Sequence, residues 1–270
     1  VRVRTTDVSR GGAKATIIVR KLCAWLSATV PSVIVCAAQA SRKTHVAAGY
    51  SPSRMAVIPN GFDLERLVAS PQEREAIRSA QGISADDFVV GSLGRFNEVK
   101  DHASFVEAAG LVAPRFPHVK FLMVGRDVDE ANSVLMAQIA STGFADRFVL
   151  LGERKDVPAC FKAMDMFCLH SFTEGFPNVL GEAMSLALPC VTTDAGDAAF
   201  LLGENGFVVP VQDPLALAEA LAKMIAASPA ERSMMGQGAY TRIVENFTMK
   251  CTEHKFKEIY DRLYLNQDVH

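Results

Sequence analysis

Short apolar runs rich in β-branched residues alternate with longer amphipathic segments from Ser32 onward. Apolar runs of about four to eight residues are typical of buried strands, and apolar positions about three or four apart are typical of helices. The predicted strands are Ser32–Cys36, Met55–Ile58, Phe88–Ser92, Val119–Val124, Phe148–Leu151, Met166–Leu169, Cys190–Thr193 and Gly206–Val209. The predicted helices between them are Ala40–Ala48, Glu73–Gln81, His102–Ala113, Glu130–Ser141, Val157–Ala163, Val179–Leu186 and Pro214–Ala227. This alternation predicts an α/β fold with a Rossmann-like, doubly wound parallel sheet.

Two helical segments flank this alternating pattern. An almost wholly helical tail is predicted over Pro229–Tyr264, and a basic helix over Lys14–Ser27. Ile18, Leu22 and Leu26 lie along one face of the basic helix. We expect that face to pack on protein, with insertion into lipid as the alternative.

Composition and charge narrow the classes of partner. Of the 270 residues, 49% are hydrophobic and 21% charged, which is typical of a globular protein with a substantial core. The net charge is −2, yet the first 43 residues hold eight Lys or Arg against one acid. This segment favours an anionic partner, such as a membrane surface or a phosphate-bearing acceptor, or else forms a solvated helix face. We expect no nucleic-acid partner.

The apolar runs and the cysteines bear on the compartment. The longest apolar stretch near the start, Leu26–Ala40, is too short to span a bilayer. The six cysteines show no C-x-x-C spacing and predict small core residues in a reducing compartment. We therefore expect a cytoplasmic protein. The alternative is a protein bound peripherally at the inner face of the membrane.

A basic loop follows the predicted strand Phe88–Ser92. Gly94 lets the backbone turn closely, and Arg95 and Lys100 lie between this strand and the next helix. A planar guanidinium and a mobile ammonium suit a diphosphate, because each ionic hydrogen bond is worth about 1.5–3 kcal/mol. The alternative is a pair of solvated cations. The residues fit neither the Rossmann glycine fingerprint nor the P-loop.

A helix start follows the predicted strand Met166–Leu169. Pro177 suits the first position of that helix. The amides expected to be free there, and to point into a cleft, are those of Asn178, Val179 and Leu180. Free amides at a helix start attract anions.

Two glutamates accompany this helix start. Glu174 lies just outside the helix, and Glu182 lies within it, one turn beyond Asn178 on the same face. A carboxylate can accept two hydrogen bonds at once, which suits the vicinal diol of a ribose or a hexose. The alternative is that Glu182 complements the helix dipole and Glu174 caps a loop.

Two further features are weighed for metal or substrate binding. Asp127 and Asp129 could hold a divalent cation against a diphosphate, but acids just before a helix more often serve its amino end, so we predict no metal. His170 could touch a sugar, although we favour a hydrogen-bonded histidine at a strand end.

With these motifs together, the sequence resembles the retaining glycosyltransferases of the GT-B fold, in the large family 4. The similar segments are Val57–Asp63 as the interdomain segment, Gly94-Arg95 with Lys100 as the diphosphate clamp, Glu174 through Glu182 as the Glu-x7-Glu motif, and Thr193–Gly196, Asn205–Pro210 and Asp213-Pro214 as the closing strands and the helix after them. Asp101 departs from the pattern where a glycine is common, as does Arg126-Asp127 in place of a glycine-containing turn.

The resemblance implies a role for each matching residue. Arg95 and Lys100 would neutralise the diphosphate of the sugar donor and its leaving-group charge. Glu174 would hold hydroxyls of the transferred sugar, and Glu182 those of the ribose. The other implied binding residues are Gly94, Arg154, Phe176, Pro177, Asn178, Val179 and Leu180, of which Arg154 lies in the loop expected to line the nucleobase. A nucleotide diphosphate sugar, with UDP-sugar preferred, would be the co-substrate, without a cofactor, and the acceptor a sugar or lipid-linked hydroxyl.

The resemblance also implies a division of the chain. Residues 1–60 would be the tail of an incomplete, acceptor-side amino-terminal domain, 61–245 the Rossmann-like domain that binds the sugar donor, and 246–270 a helix packing back on the first. We expect the chain to be amino-terminally truncated. The implied function is retaining sugar transfer in polysaccharide or lipopolysaccharide biosynthesis, and the alternative is a non-catalytic nucleotide-sugar-binding module.

Overall fold

The chain folds around two parallel sheets. A computed structural model describes residues 2–3 and 14–265, so Arg4 and Arg10 of the basic opening segment lie outside the described residues. The small sheet has the order β1-β2-β3, formed by Arg2–Val3, Ile34–Cys36 and Met55–Val57. The large sheet has the order β6-β5-β4-β7-β8-β9, with every neighbouring pair parallel. Its strands are β4 (Phe88–Leu93), β5 (Val119–Val124), β6 (Phe148–Leu150), β7 (Met166–Leu169), β8 (Cys190–Thr193) and β9 (Gly206–Val209).

Helices connect the strands, as parallel pairing requires. They are α1 (Lys14–Leu26), α2 (Gln39–Ala47), α3 (Pro71–Ala80), α4 (His102–Val112), α5 (Ser133–Ser141), α6 (Val157–Ala163), α7 (Asn178–Ser185), α8 (Ala198–Leu202), α9 (Pro214–Ala226), α10 (Pro229–Asn246) and α11 (Met249–Leu265). The predicted α/β class with a doubly wound parallel sheet is confirmed. None of the helices among residues 14–265 is both long and apolar enough to cross a bilayer.

The large sheet separates two apolar layers. Successive residues of a strand point to opposite faces, so Val89 packs with α3, α6, α7 and α10, whereas Val90 packs with α4, α5 and α9. Both valines are fully buried. The near-continuous apolar strands of the sequence are thereby explained, because a sheet covered on both faces exposes neither set of side chains.

Several element boundaries differ from the prediction, most by one or two residues. Helix α5 begins at Ser133 and not at Glu130, because the Asn132 side chain accepts a hydrogen bond from the Leu135 amide and caps the helix there. The predicted helical tail is interrupted between α10 and α11. The short elements β1 and α8 were not predicted.

The interruption in the tail is caused by a contact with the segment after β3. The Phe62 amide donates to the Phe247 carbonyl (2.8 Å), and the Met249 amide donates to the Phe62 carbonyl (3.1 Å). The Phe62 ring lies against Gly181 of α7, where a Cβ atom would fall 1.9 Å from the ring. The segment after β3 and the junction of α10 with α11 therefore pair with each other beside α7.

Candidate active site

The clamp loop, residues 94–101, leaves the carboxyl end of β4 through a close backbone contact. The Gly94 amide donates to the Val124 carbonyl at the end of β5 (2.8 Å). A Cβ atom on Gly125 would lie 2.1 Å from the Gly94 carbonyl oxygen, so the approach requires glycine at 125. Asp101 adopts a left-handed conformation (φ 51°, ψ 50°) and caps α4 through the Ser104 amide. The departure at Asp101 thus retains a backbone conformation that glycine adopts most readily, and aspartate tolerates better than most residues.

Lys100 and Glu174 meet across the mouth of the sheet. The Lys100 Nζ lies 2.5 Å from the Glu174 Oε1, which also accepts a hydrogen bond from the Ser171 hydroxyl (2.8 Å). The side chains of Lys100 and Glu174 are 21% and 14% exposed, so this ion pair is partly shielded from water. The two motifs of the sequence therefore converge at one place, as the carboxyl ends of parallel strands should.

His170 links the clamp loop to β4 through two hydrogen bonds. Its Nδ1 lies 2.5 Å from the Lys100 carbonyl oxygen and its Nε2 lies 2.5 Å from the Ser92 hydroxyl. Since a carbonyl only accepts, Nδ1 carries the proton and Nε2 accepts from Ser92. Burial, followed by the neighbouring His102, lowers the pKa of His170 well below its ordinary value, so the ring is neutral. His170 is a hydrogen-bonded strand-end histidine, as favoured from the sequence.

The start of α7 differs from the expectation in two respects. Pro177 is the residue before the helix (φ −78°, ψ 88°) and not its first residue. The Leu180 amide donates to the Pro177 carbonyl (3.1 Å), so it is not free, because the first turn closes tightly on itself. Within residues 14–265, the amides of Asn178 and Val179 make no hydrogen bond.

Phe176 is turned away from the mouth of the sheet. Its ring is 7% exposed and stacks on Phe62, with ring centroids 6.2 Å apart, and it also contacts Phe247. The Phe176 side chain therefore belongs to the apolar junction between the sheets, and any contact with a ligand would come from the backbone.

Glu182 and Arg95 are charged groups with unused hydrogen-bonding capacity. Glu182 is half-buried on α7, and burial raises the pKa of its carboxyl. Arg95 is exposed on the clamp loop. Among the residues that the structure describes, neither side chain has a hydrogen-bond or ion-pair partner.

The structure does not bring the Arg154 side chain to the clamp loop. Its guanidinium makes two hydrogen bonds to the Asp156 carboxylate (2.9 and 2.6 Å). It also lines a cavity of about 200 Å³ together with Ile77 of α3 and Leu151 after β6. Contact with a nucleobase, if made by this loop, would have to come from its backbone.

The two aspartates weighed as cation ligands shape a turn. Asp127 has a left-handed backbone (φ 62°), and the Asp129 carboxylate accepts from the Ala131 amide (3.0 Å). Across residues 14–265 no three His, Cys, Asp or Glu side chains are grouped so as to hold a metal ion. The prediction of a metal-free site stays a prediction.

One buried acid beside the site was missed by the sequence analysis. Asp197 is 3% exposed and accepts from the Gln39 amide (2.7 Å) and the Ala40 amide (2.8 Å) at the start of α2. Its own amide donates to the Gly175 carbonyl (3.0 Å). No local pattern could reveal this role, because the partners lie more than 150 positions away in the sequence.

The fold and the convergent charges define an α/β protein whose ligand would bind at the carboxyl edge of its parallel sheet. Residues 87–227 match the family described as Glycosyl transferases group 1. The chain therefore belongs to the group 1 glycosyl transferases.

Individual relatives agree with this family. The chain is 28% identical over 220 residues to UDP-Gal:alpha-D-GlcNAc-diphosphoundecaprenol alpha-1,3-galactosyltransferase of Escherichia coli, covering 80% of this chain and 56% of that protein. It is 30% identical over 212 residues to the lipopolysaccharide core biosynthesis mannosyltransferase LpcC of Rhizobium leguminosarum bv. viciae, covering 77% and 59%. It superposes on HepE of Anabaena in complex with UDP-glucose with a TM-score of 0.84 and 25% identity, covering 97% of this chain and 71% of that one. The chain thus spans little more than half the length of these two curated relatives.

Proposed function

We propose that this chain is the part of a retaining glycosyltransferase that binds the nucleotide diphosphate sugar, and that the whole enzyme transfers the sugar to an acceptor hydroxyl. The observation that carries the proposal is the contact between Lys100 and Glu174. It joins a cation suited to a diphosphate with a carboxylate suited to sugar hydroxyls at one sheet edge. UDP is the proposed nucleotide, because the galactosyltransferase relative is named for UDP-Gal and HepE was solved with UDP-glucose.

Arg95 and Lys100 act on the leaving group in this proposal. Negative charge grows on the diphosphate as its bond to the sugar breaks, and fixed cations stabilise that charge without having to reorganise. Lys100 already lies against Glu174, so a bound diphosphate has to share or replace this partner. Arg95 has no partner to give up among the described residues and can make a planar, two-point contact.

The two glutamates divide the sugar rings between them. Glu174 is fixed by Ser171 and Lys100, which suits it to orient the transferred sugar. Glu182 is desolvated without a hydrogen-bond partner among residues 14–265, so ribose hydroxyls that donate to it would relieve an existing electrostatic cost. The free amides of Asn178 and Val179 add donors for phosphate or sugar oxygens.

The acceptor and the location are also part of the proposal. Relatives act in lipopolysaccharide core biosynthesis or on a diphosphoundecaprenol-linked sugar, which supports a sugar or lipid-linked acceptor. Ile18, Leu22 and Trp25 are exposed on α1. This apolar surface supports contact either with a further protein domain or with the cytoplasmic face of the membrane. The division at residues 60 and 245 stays a prediction.

Binding and turnover test the proposal separately. Calorimetric titration with UDP, GDP and ADP should show binding, with UDP tightest. Transfer and donor hydrolysis should then be assayed with this chain and with the natural protein that contains it. Transfer by the longer protein supports the enzyme. Binding without turnover in both contradicts it and leaves the alternative of a non-catalytic nucleotide-sugar-binding module.

A further inference from the structure

Asp197 lies buried between the small sheet's helix α2 and the loop that carries Glu174. We propose that Asp197 is a positioning residue that couples the placement of the β1–β3 unit to the geometry of Glu174. The β1–β3 unit is the small sheet together with α2. This inference rests on the proposed function of Glu174 and extends it: the sugar site would be correctly formed only when the β1–β3 unit is docked.

The contact with α2 is a helix cap supplied by a distant part of the chain. The residue before α2 is Ala38, whose side chain cannot accept a hydrogen bond, and α2 has no acid in its first turn. Both Asp197 carboxylate oxygens instead accept from the first two amides of the helix, those of Gln39 and Ala40. A carboxylate there satisfies two otherwise unpaired donors and complements the helix dipole. The start of α2 is therefore held by a residue that lies between β8 of the large sheet and α8.

The backbone of Asp197 is fixed against the Glu174 loop. Its amide donates to the Gly175 carbonyl (3.0 Å). The preceding residue, Gly196, has φ +61°, and a Cβ atom on it would lie 2.2 Å from the Glu174 carbonyl oxygen. With backbone in direct contact on both residues, a shift of Asp197 must move the Glu174–Gly175 peptide or break this packing.

A second contact links the segment after β3 to the other end of the same loop. The Asn60 side-chain amide donates to the Asn178 side-chain oxygen at the start of α7 (2.7 Å). One end of the loop between Glu174 and Asn178 is therefore held by Asn60 directly, and the other end is linked to Gln39 and Ala40 through Asp197. These two contacts transmit the placement of the β1–β3 unit to the sugar site. Arg95 of the clamp loop and Glu182, the proposed ribose ligand, take part in neither contact.

Asp197→Ala tests the coupling, with Asp213→Ala as the matched control. Asp213 also caps a helix, α9, through the Ala216 amide (2.9 Å), but within the large-sheet unit. In Asp197→Ala we expect exchange of the amide at position 197, which donates to the Gly175 carbonyl, to speed up about tenfold and kcat to fall about fivefold, with the dissociation constant for UDP within about twofold of the parent. Asp213→Ala should change none of these.

Gln39→Pro removes one of the two hydrogen bonds to Asp197 from the opposite side and changes no residue of the large sheet or its loops. Gln39 is the first residue of α2 and Ala38 before it is extended (φ −148°, ψ 151°), so proline fits the backbone there. The ring removes the Gln39 N–H, one of the two amides that donate to Asp197, and exchange of the Asp197 amide should again accelerate. If Asp197→Ala does not fold, this variant decides.

Unchanged exchange of the amide at position 197 in the folded variants, with faster exchange only in α2, would overturn the coupling and leave Asp197 as a helix cap. The exchange measurement needs no turnover. Failure of the parent chain to bind UDP would therefore count against the proposed function, while the exchange rates would still decide the coupling.

Discussion

Both edges of the large sheet carry clusters of charged side chains, but their partners differ. At the amino edge the Asp165 carboxylate accepts from Arg74 (2.7 Å), from Arg78 (2.9 Å) and from the Val89 amide (2.8 Å). At the carboxyl edge, Arg95 and Glu182 have no hydrogen-bond partner among the residues described.

This difference separates charges that stabilise the fold from charges that are available to a ligand. A buried charge that is paired with an opposite charge holds elements together, and removing one partner leaves the other uncompensated. A charge that is desolvated without a partner carries an electrostatic cost that a ligand can relieve. Charge alone therefore does not mark the site in this protein. At the carboxyl edge, Arg95 and Glu182, which have no partner among the described residues, accompany the Lys100–Glu174 ion pair.

The largest effect is expected at the amino edge. Asp165→Ala should lower the free energy of unfolding by about 3 kcal/mol, because it leaves the buried Arg78 guanidinium without its carboxylate. Denaturant unfolding measures this loss, and calorimetry on the folded variant should show the affinity for UDP unchanged. A large loss of UDP affinity in the folded variant would break the separation between the two edges.

At the clamp loop, the main effect expected is a loss of UDP affinity. Lys100→Ala should weaken UDP binding, and lower kcat/KM for transfer, by about one to two orders of magnitude, because an ionic hydrogen bond is worth about 1.5–3 kcal/mol. The free energy of unfolding should fall by about 1–3 kcal/mol, because alanine leaves the largely buried Glu174 carboxylate without its cation. Lys223→Ala removes an exposed lysine from α9 and serves as the control for charge.

Two smaller effects of opposite sign are expected at Glu182: substitution should raise stability and weaken UDP binding. Burial raises the carboxyl pKa, so between its ordinary and its raised pKa the folded chain binds more protons than the unfolded chain, and stability falls as pH rises through this interval. Glu182→Gln should remove that cost and raise stability at neutral pH. It should also weaken UDP binding about tenfold, since an amide is a poorer acceptor than a carboxylate.

The pH dependence sharpens this prediction. In the parent chain, UDP binding should weaken as pH falls through the Glu182 pKa, because the protonated carboxyl accepts less well from ribose hydroxyls. Glu182→Gln should show no such dependence over the same interval. An equal pH dependence in both proteins would assign the titration to another group.

Local patterns predicted the large sheet well and the junction poorly. Strands β5, β7, β8 and β9 begin and end where the apolar runs do, because a strand covered on both faces leaves a continuous apolar signal. Lys100 and Glu174 were both predicted from their positions after strands, and the topology brings them together.

The remaining features depend on contacts between distant segments. The break between α10 and α11 follows from the pairing with Phe62, and the Asp197 cap of α2 follows from docking of the two units. The closed first turn at Leu180 depends on a backbone angle at Pro177 that the residue type alone does not fix. None of these leaves a periodic or compositional mark in the sequence.

The central claim is that the carboxyl edge holds the nucleotide diphosphate through Arg95 and Lys100. Calorimetric titration of UDP into the Arg95→Ala/Lys100→Ala double variant tests it most directly, with denaturant unfolding measured on the same sample. The account predicts a loss of affinity of about a hundredfold or more in a variant that still unfolds cooperatively. UDP bound as tightly as by the parent chain would contradict it.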